Sequence, residues 1–87
     1  MDHLLYEVNV GSNDVIEVEL SSQANVRIMD SSNYHSFRAG RAHRYHGGLA
    51  KKSPVVLSPP NSGHWYVVVD LGGHSGKVRA SVSVRAA

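Results

Sequence analysis

Apolar and polar side chains alternate along most of this chain. The alternation is clearest at residues 3–10, 15–20, 24–30 and 77–85, where every second side chain is apolar. A period of two is typical of β-strands, because successive side chains of a strand point to opposite faces of its sheet. Each of these four segments therefore predicts a strand with one buried and one exposed face.

Three further strands are predicted on other grounds. Residues 65–71 are apolar on both faces apart from Asp70, which is typical of a central strand that is covered on both sides. Residues 55–57 are a short apolar run after a proline, a residue found at strand starts and edges. Residues 41–47 are expected to form one more strand, which brings the total to seven, with a bend or bulge at Gly47 and Gly48.

Two glycine-containing segments predict hairpins. Residues 11–14 (GSND) separate the first two strands, and glycine, asparagine and aspartate are the residues that tight turns favour. Residues 72–76 (GGHSG) separate the last two strands in the same way. We expect both segments to join neighbouring antiparallel strands of one sheet. Residues 59–63 (PPNSG) predict a further turn.

One segment, between Asp30 and Gly40, breaks the two-residue period. It starts with residues that cap helices, and Gly40 is placed to end one, so a helix is predicted over 32–39. Two turns of helix are not stable alone. We therefore expect Tyr34 and Phe37, which are three residues apart, to dock this helix over an open end of the sheets.

These elements predict the fold class. Seven short strands and one short helix indicate an all-β domain, either an antiparallel β-sandwich or a small barrel. A chain of 87 residues forms one domain, spanning residues 1–87, and a deep enclosed active site is not expected in it. The absence of cysteine excludes disulfides and thiolate metal sites. No signal peptide or membrane span is recognisable, so a cytoplasmic location is expected.

Charge is unevenly distributed along the chain. Residues 1–34 hold six acidic and one basic residue, whereas residues 35–87 hold one acidic and eight basic residues. We expect part of this charge to be neutralised across strands, with Glu17 and Glu19 meeting Lys77, Arg79 or Arg85. The net charge of only +2 argues against an obligate nucleic-acid binder.

The segment that breaks the strand period also concentrates cations. Arg38, Arg41 and Arg44 have no acidic residue close by in the sequence, and grouped guanidinium groups are typical of sites that capture anions. The residues expected to contact a ligand or partner are Tyr34, Arg38, Arg41, Arg44, Tyr45 and His64. The alternative is a solvated rim whose charge is neutralised by Glu17, Glu19 or Asp30, and that interpretation stays open here.

Other motifs carry no chemistry. His43 and His46 would point to opposite faces of a strand, so they predict no metal site. The loop at 72–76 is followed by a strand, whereas a phosphate-binding loop needs a helix there. The GxSxG motif of serine hydrolases is absent. No catalytic residue, metal or cofactor is therefore expected, and Trp65 is interpreted as a core anchor rather than a ligand platform.

Four motifs together resemble a known bacterial family. They are D-S-S-N-Y at 30–34, R-x-x-R-Y-x-G-G at 41–48, S-P-V-x-L at 53–57 and S-G-H-W-x-V-V-x-D-L-G-G at 62–73. In this order they resemble the domain of unknown function 1883. The resemblance implies a compact all-β domain, found alone or in front of a TIR signalling domain, with no established activity.

The sequence leaves three functional hypotheses in order of preference. The first is a non-enzymatic binding or interaction module that senses an anionic ligand or docks a signalling partner. The second is a nucleic-acid or polyphosphate binder that uses the cations of Arg38, Arg41 and Arg44. The third is a small hydrolase. Because no TIR segment is visible in this chain, an effector function is expected to be either absent or supplied by a separate partner.

Overall fold

The computed structural model of the protein describes residues 3–73 and 76–87. Within those ranges the chain forms seven strands and one helix. In chain order these elements are β1 (Leu4–Val10), β2 (Asp14–Leu20), β3 (Ala24–Met29), α1 (Ser31–Arg38), β4 (His46–Ala50), β5 (Val55–Leu57), β6 (Gly63–Asp70) and β7 (Ala80–Ala86). The predicted all-β class, with about seven strands and one short helix, is confirmed.

The strands form two antiparallel sheets with the main core between them. The four-stranded sheet has the order β1-β6-β3-β4, and the three-stranded sheet has the order β5-β2-β7. Every pairing in both sheets is antiparallel. The two sheets remain separate instead of closing on each other, so the fold is a sandwich and not the small barrel that was the other alternative.

The main core is formed by alternate residues of both sheets together with Val78, which precedes β7. Its buried members are Val10, Ile16, Val18, Ala24, Val26, Ile28, Trp65, Val67, Val69 and Val78. Trp65 is only 6% exposed, and its indole Nε1 donates a 2.9 Å hydrogen bond to the carbonyl of Asn61. These contacts support the interpretation of Trp65 as a core anchor. The central position of β6, between β1 and β3, is likewise confirmed.

The helix α1 lies on the outer face of the four-stranded sheet. Tyr34 and Phe37 of α1 pack on Met29, Tyr66 and Val68, which point away from the main core. The expectation that the helix covers an open end of the sheets is therefore wrong. The physical reason is that β6 is apolar on both faces, so its outward residues also need a cover.

Both predicted hairpins are wrong. β1 pairs with β6, whereas β2 pairs with β5 and β7, so the turn at residues 11–14 carries the chain from one sheet to the other. β6 and β7 also belong to different sheets. His74 and Ser75, in the loop between these two strands, lie outside the described residues. Turn chemistry indicates where the chain reverses, but it does not say whether the next strand stays in the same sheet.

Two strands are displaced from their predicted positions. β4 covers residues 46–50 and not 41–47, and residues 41–45 have no regular structure. β7 begins at residue 80, three residues later than expected. One charge pairing of the predicted kind is confirmed, because Arg85 Nε donates a 2.8 Å hydrogen bond to Glu17 Oε2 across the β2–β7 pair.

The two sides of the sandwich differ. On one side the edge strands β1 and β7 are tied together, because the phenol of Tyr6 donates a 3.1 Å hydrogen bond to the carbonyl of Ala80. On the other side the edge strands β4 and β5 border a groove of about 520 Å³. The sandwich is therefore closed along one side and open along the other.

Candidate anion-binding site

The cations predicted to form a site lie on a segment that leaves the end of α1. We refer to residues 38–44 as the arginine segment. The helix ends because Gly40 has a φ of 73°, a conformation that favours glycine. The backbone N–H of Gly40 then donates to the carbonyl of Phe37, and that of Arg41 donates to the carbonyl of Ser36. These paired bonds form a Schellman motif, which fixes the start of the segment.

The far end of the arginine segment is fixed by side chains. The backbone N–H of Arg44 donates a 2.7 Å hydrogen bond to Asn33 Oδ1, which belongs to the first turn of α1. The ring of His43 packs edge-on against Phe37, with centroids 5.2 Å apart. Tyr45 follows the segment directly, and the guanidinium of Arg27 lies over its ring, 5.0 Å from the centroid of the Tyr45 ring. The segment is thus held in place at both ends without belonging to a sheet.

None of the three guanidinium groups is neutralised within the described chain. Arg38, Arg41 and Arg44 are exposed, and their side chains have no hydrogen bond or ion pair to residues 3–73 or 76–87. By contrast, Arg27 and Arg85 each bind a carboxylate at 2.8 Å. The arginine segment therefore carries positive charge that faces solvent.

The acids that were expected to neutralise a solvated rim have other partners or positions. Glu17 binds Arg85, on the three-stranded sheet. Asp30 caps α1, because its Oδ1 accepts hydrogen bonds from both the backbone and the side-chain amide of Asn33. Glu19 also lies on β2 and forms no ion pair with a described residue. The neutralised rim therefore has no support in the part of the chain that is described.

Arg44 lines a pocket of about 250 Å³ on the surface next to the helix. The other residues of this pocket are Met29, Asp30, Asn33, His46, Pro60, Asn61 and Trp65. The guanidinium supplies several donors in a fixed planar arrangement, and the asparagine amides can add neutral donors. Asp30 is the one acid in this lining among residues 3–73 and 76–87, and its Oδ1 is already hydrogen-bonded to Asn33.

Of the six predicted site residues, Arg44 is the one that lines this pocket, whereas Arg38 and Arg41 lie outside the lining on the same segment. The three other predicted residues have different surroundings. Tyr34 is 4% exposed, and its hydroxyl is hydrogen-bonded with His3 Nε2 at 3.1 Å, so it positions the helix instead of presenting a ring to solvent. Tyr45 is exposed, but one face of its ring is in contact with the guanidinium of Arg27. His64 lies on β6, opposite Asn9 of the neighbouring strand β1. Its Nε2 is 2.9 Å from Glu7 Oε1, and its Nδ1 is 3.0 Å from Asn9 Oδ1.

A polar network that was not predicted supports Tyr45. Asp70 Oδ2 accepts a 2.8 Å hydrogen bond from Arg27 Nη1, and its Oδ1 accepts bonds from Asn25 and from the backbone of Gly72. Arg27 lies on the face of β3 that the two-residue alternation predicts to be exposed, yet only 23% of its side chain is accessible. The signal for this pair was Asp70 itself, since a lone acid in an apolar strand needs a cation or several donors.

No cluster of three or more histidine, cysteine or acidic side chains is placed to hold a metal ion among the described residues. His43 and His46 contact different neighbours, Phe37 in the first case and Trp65 in the second. None of the helices in the described ranges has the length and apolar character needed to cross a bilayer.

The observed architecture defines an all-β sandwich with one helix packed on the outside of its larger sheet. The sequence matches the family described as Domain of unknown function (DUF1883) over residues 3–87, and the chain belongs to that family. No curated protein and no solved structure matches it significantly. The resemblance noted from the four sequence motifs is thereby confirmed.

Proposed function

We propose that the protein is a non-enzymatic binding module that captures an anionic group at the arginine segment. In this proposal Arg44 contacts the phosphate or carboxylate of the ligand in its pocket. Arg38 and Arg41 add to the attraction from the same segment. The proposal keeps Arg38, Arg41 and Arg44 from the predicted set. It leaves Tyr34, Tyr45 and His64 as residues that position the surrounding structure.

One observation carries this proposal: three guanidinium groups on one fixed segment have no carboxylate partner among the described residues. Unpaired like charges repel each other, so a fold gains no stability from grouping them. A bound anion removes that repulsion, and its hydrogen bonds to guanidinium are among the stronger polar contacts in proteins. Because the segment is already fixed by its backbone bonds, little ordering is needed on binding.

The family resemblance supplies a context for the module. A domain that stands alone or in front of a TIR domain suits a sensing or docking role in the bacterial cytoplasm. We therefore propose that anion capture serves signalling and not chemical conversion. Binding of nucleic acid remains the alternative, and the experiment below separates it from capture of a small anion.

The test compares two double variants of equal charge change. Arg41→Glu with Arg44→Glu reverses two cations of the arginine segment, and Lys77→Glu with Arg79→Glu reverses two exposed cations next to β7. The probe is inorganic pyrophosphate, and its binding is monitored through the amide chemical shifts of the full chain. We expect the first variant to weaken pyrophosphate binding about tenfold or more, because charge-assisted hydrogen bonds are lost. The second variant should bind within about twofold of the parent, because charge far from the site acts weakly at ordinary salt.

Several outcomes would overturn the proposal. Equal weakening in both variants would show that only net charge matters. If the parent protein did not bind pyrophosphate at millimolar concentration, the proposal would also be overturned. A single-stranded oligonucleotide that binds more tightly than pyrophosphate, with a salt dependence that grows with its length, would favour the nucleic-acid alternative.

A further inference from the structure

The open side of the sandwich is a second surface, independent of the arginine segment. Between β4 and β5 the two sheets leave a groove of about 520 Å³. Its walls are formed by inward-facing side chains, among them Val26, Val55 and Leu57. Lys51 and Lys52 also line it, and no acidic residue of the described ranges does. The groove is therefore apolar inside and positively charged along one part of its border.

Two strand edges face this groove without a partner strand. β4 pairs only with β3, and β5 pairs only with β2, among the strands that are described. An edge strand leaves a row of backbone N–H and C=O groups unpaired, and these groups can bind a further strand. The same two strands carry large exposed apolar side chains, since Leu49 of β4 is 57% exposed and Val56 of β5 is 46% exposed.

Part of the usual protection against strand addition is absent from β4, the longer of these two edge strands, because β4 contains no charged residue or proline. β5 has only three residues, and Lys51, Lys52 and Pro54 lie between the two strands. Natural edge strands commonly carry charged residues or prolines that prevent another strand from pairing. β4 has the sequence HGGLA and β5 the sequence VVL, neither of which includes a lysine, arginine, acidic residue or proline. The opposite edge strands do carry charge, with Glu7 on β1 and Arg85 on β7. The edge strands without a charged side chain thus occur on the open side.

We propose that this groove binds an extended segment of a partner protein in which acidic and apolar residues alternate. The segment adds a strand to the free edge of β4, so that its backbone groups pair with those of β4. Its apolar side chains enter the groove beside Val26, Val55 and Leu57. Its acidic side chains face Lys51 and Lys52. This surface uses none of the residues of the proposed anion site, so the two proposals succeed or fail separately.

The charge of the groove determines the choice of occupant. Lysines at the border favour an acidic partner over a basic or neutral one, since no acid of the described part of the chain lines the groove. The combination of free strand edges and an apolar wall favours a peptide backbone over an acyl chain, because an acyl chain cannot use the unpaired backbone groups. A second copy of this chain and a fatty acid are the other occupants that the experiment must exclude.

The experiment uses synthetic peptides and the full chain. The first probe is a blocked peptide of alternating glutamate and valine, and its counterpart replaces glutamate with lysine. We expect the glutamate peptide to bind at least about tenfold more tightly than the lysine peptide, with the amide shift changes concentrated at residues 46–57 and at Val26. In the variant Lys51→Glu with Lys52→Glu, the preference should reverse to the lysine peptide. The variant Lys77→Glu with Arg79→Glu, which reverses the same number of charges outside the groove lining, is the matched control and should keep the original preference.

A second probe tests the strand addition itself. Methylation of alternate backbone nitrogens on one edge of the glutamate peptide removes its donors but keeps its side chains. Of the two peptides methylated on opposite edges, one should lose binding and the other should keep it. Equal binding by both would overturn strand addition.

Three other results would overturn the proposal. The first is no peptide binding at millimolar concentration. The second is displacement of the glutamate peptide by decanoate at a concentration lower than that of the peptide. The third is sedimentation of the unliganded protein as a dimer that the Lys51→Glu and Lys52→Glu substitutions dissociate, because the occupant would then be a second copy of this chain.

Discussion

The ring of Tyr34 lies parallel to the ring of Tyr66, with centroids 4.6 Å apart and planes inclined by 9°. One ring belongs to α1 and the other to the central strand β6, so the stack joins the helix to the middle of the larger sheet. The arginine segment begins where α1 ends. The position of its cations therefore depends on this contact.

Truncation of Tyr34 should loosen the helix. We expect Tyr34→Ala to lower the free energy of unfolding by about 3 kcal/mol, because a buried aromatic ring is lost from a packed site. Tyr34→Phe keeps the stack and loses only the hydroxyl contact with His3, so its cost should be about 1 kcal/mol. Urea denaturation of both variants measures the difference. Equal costs would show that the stack contributes no more than the hydroxyl.

Trp65 should be the most sensitive position of the main core. Trp65→Ala is expected to destabilise the protein by roughly 3 to 5 kcal/mol, as is usual when a large buried aromatic residue is truncated. This loss is most of the stability of a small domain. Thermal unfolding followed by circular dichroism provides the measurement. An unchanged melting temperature would contradict the buried position, and the emission maximum of this single tryptophan in the folded parent gives an independent check.

The Arg27–Asp70 pair should stabilise the protein measurably. Both side chains are mostly covered, with 23% and 12% of their surfaces accessible. Asp70→Asn should cost about 2 kcal/mol, because the guanidinium of Arg27 loses its charged partner. Replacing both residues, as in Arg27→Met with Asp70→Asn, should cost less than the sum of the single changes. A double-mutant cycle measures this coupling, and strictly additive costs would show that the pair does not interact in solution.

Two glycines with positive φ should differ in their tolerance of alanine. Gly40 has a φ of 73° with open space around it, so Gly40→Ala should cost about 1 kcal/mol from backbone strain alone. Gly47 has a φ of 115°, and a Cβ there would overlap the carbonyl oxygen of Val26. Gly47→Ala should therefore cost roughly 2 kcal/mol more than Gly40→Ala. Chemical denaturation of the two variants checks the order, and a smaller loss at Gly47 would contradict the close approach of β3 and β4.

Much of the fold could be predicted from local patterns. Alternation placed β1, β2 and β3 within one or two residues, and the doubly apolar pattern identified β6 as central. Asp30 and Gly40 correctly marked the start and end of the helix. Each of these features depends on residues that are near each other in the sequence, where the periods of strands and helices act directly.

The pairing of strands could not be predicted in the same way. The turn at residues 11–14 has the same chemistry whether it closes a hairpin or passes between sheets. The choice is made by distant residues, since β1 finds its partner in β6 through pairs such as Leu4 with Val69. For the candidate site, the sequence identified the three arginines but not the role of Asn33, which holds Arg44 from the first turn of α1.

The order of strands in the two sheets has a consequence for how the chain reaches its native state. Among the described strands, β3 and β4 are the one pair that follow each other in sequence, and α1 lies between them. β1 cannot form its sheet pairing until β6 has been synthesised. β2 can pair with its long partner β7 only when residues 80–86 have left the ribosome. Such non-local pairing makes folding slow compared with helical proteins of this size. During synthesis one edge of β2 therefore stays unpaired until β7 emerges, whereas its other edge can pair with β5 before that.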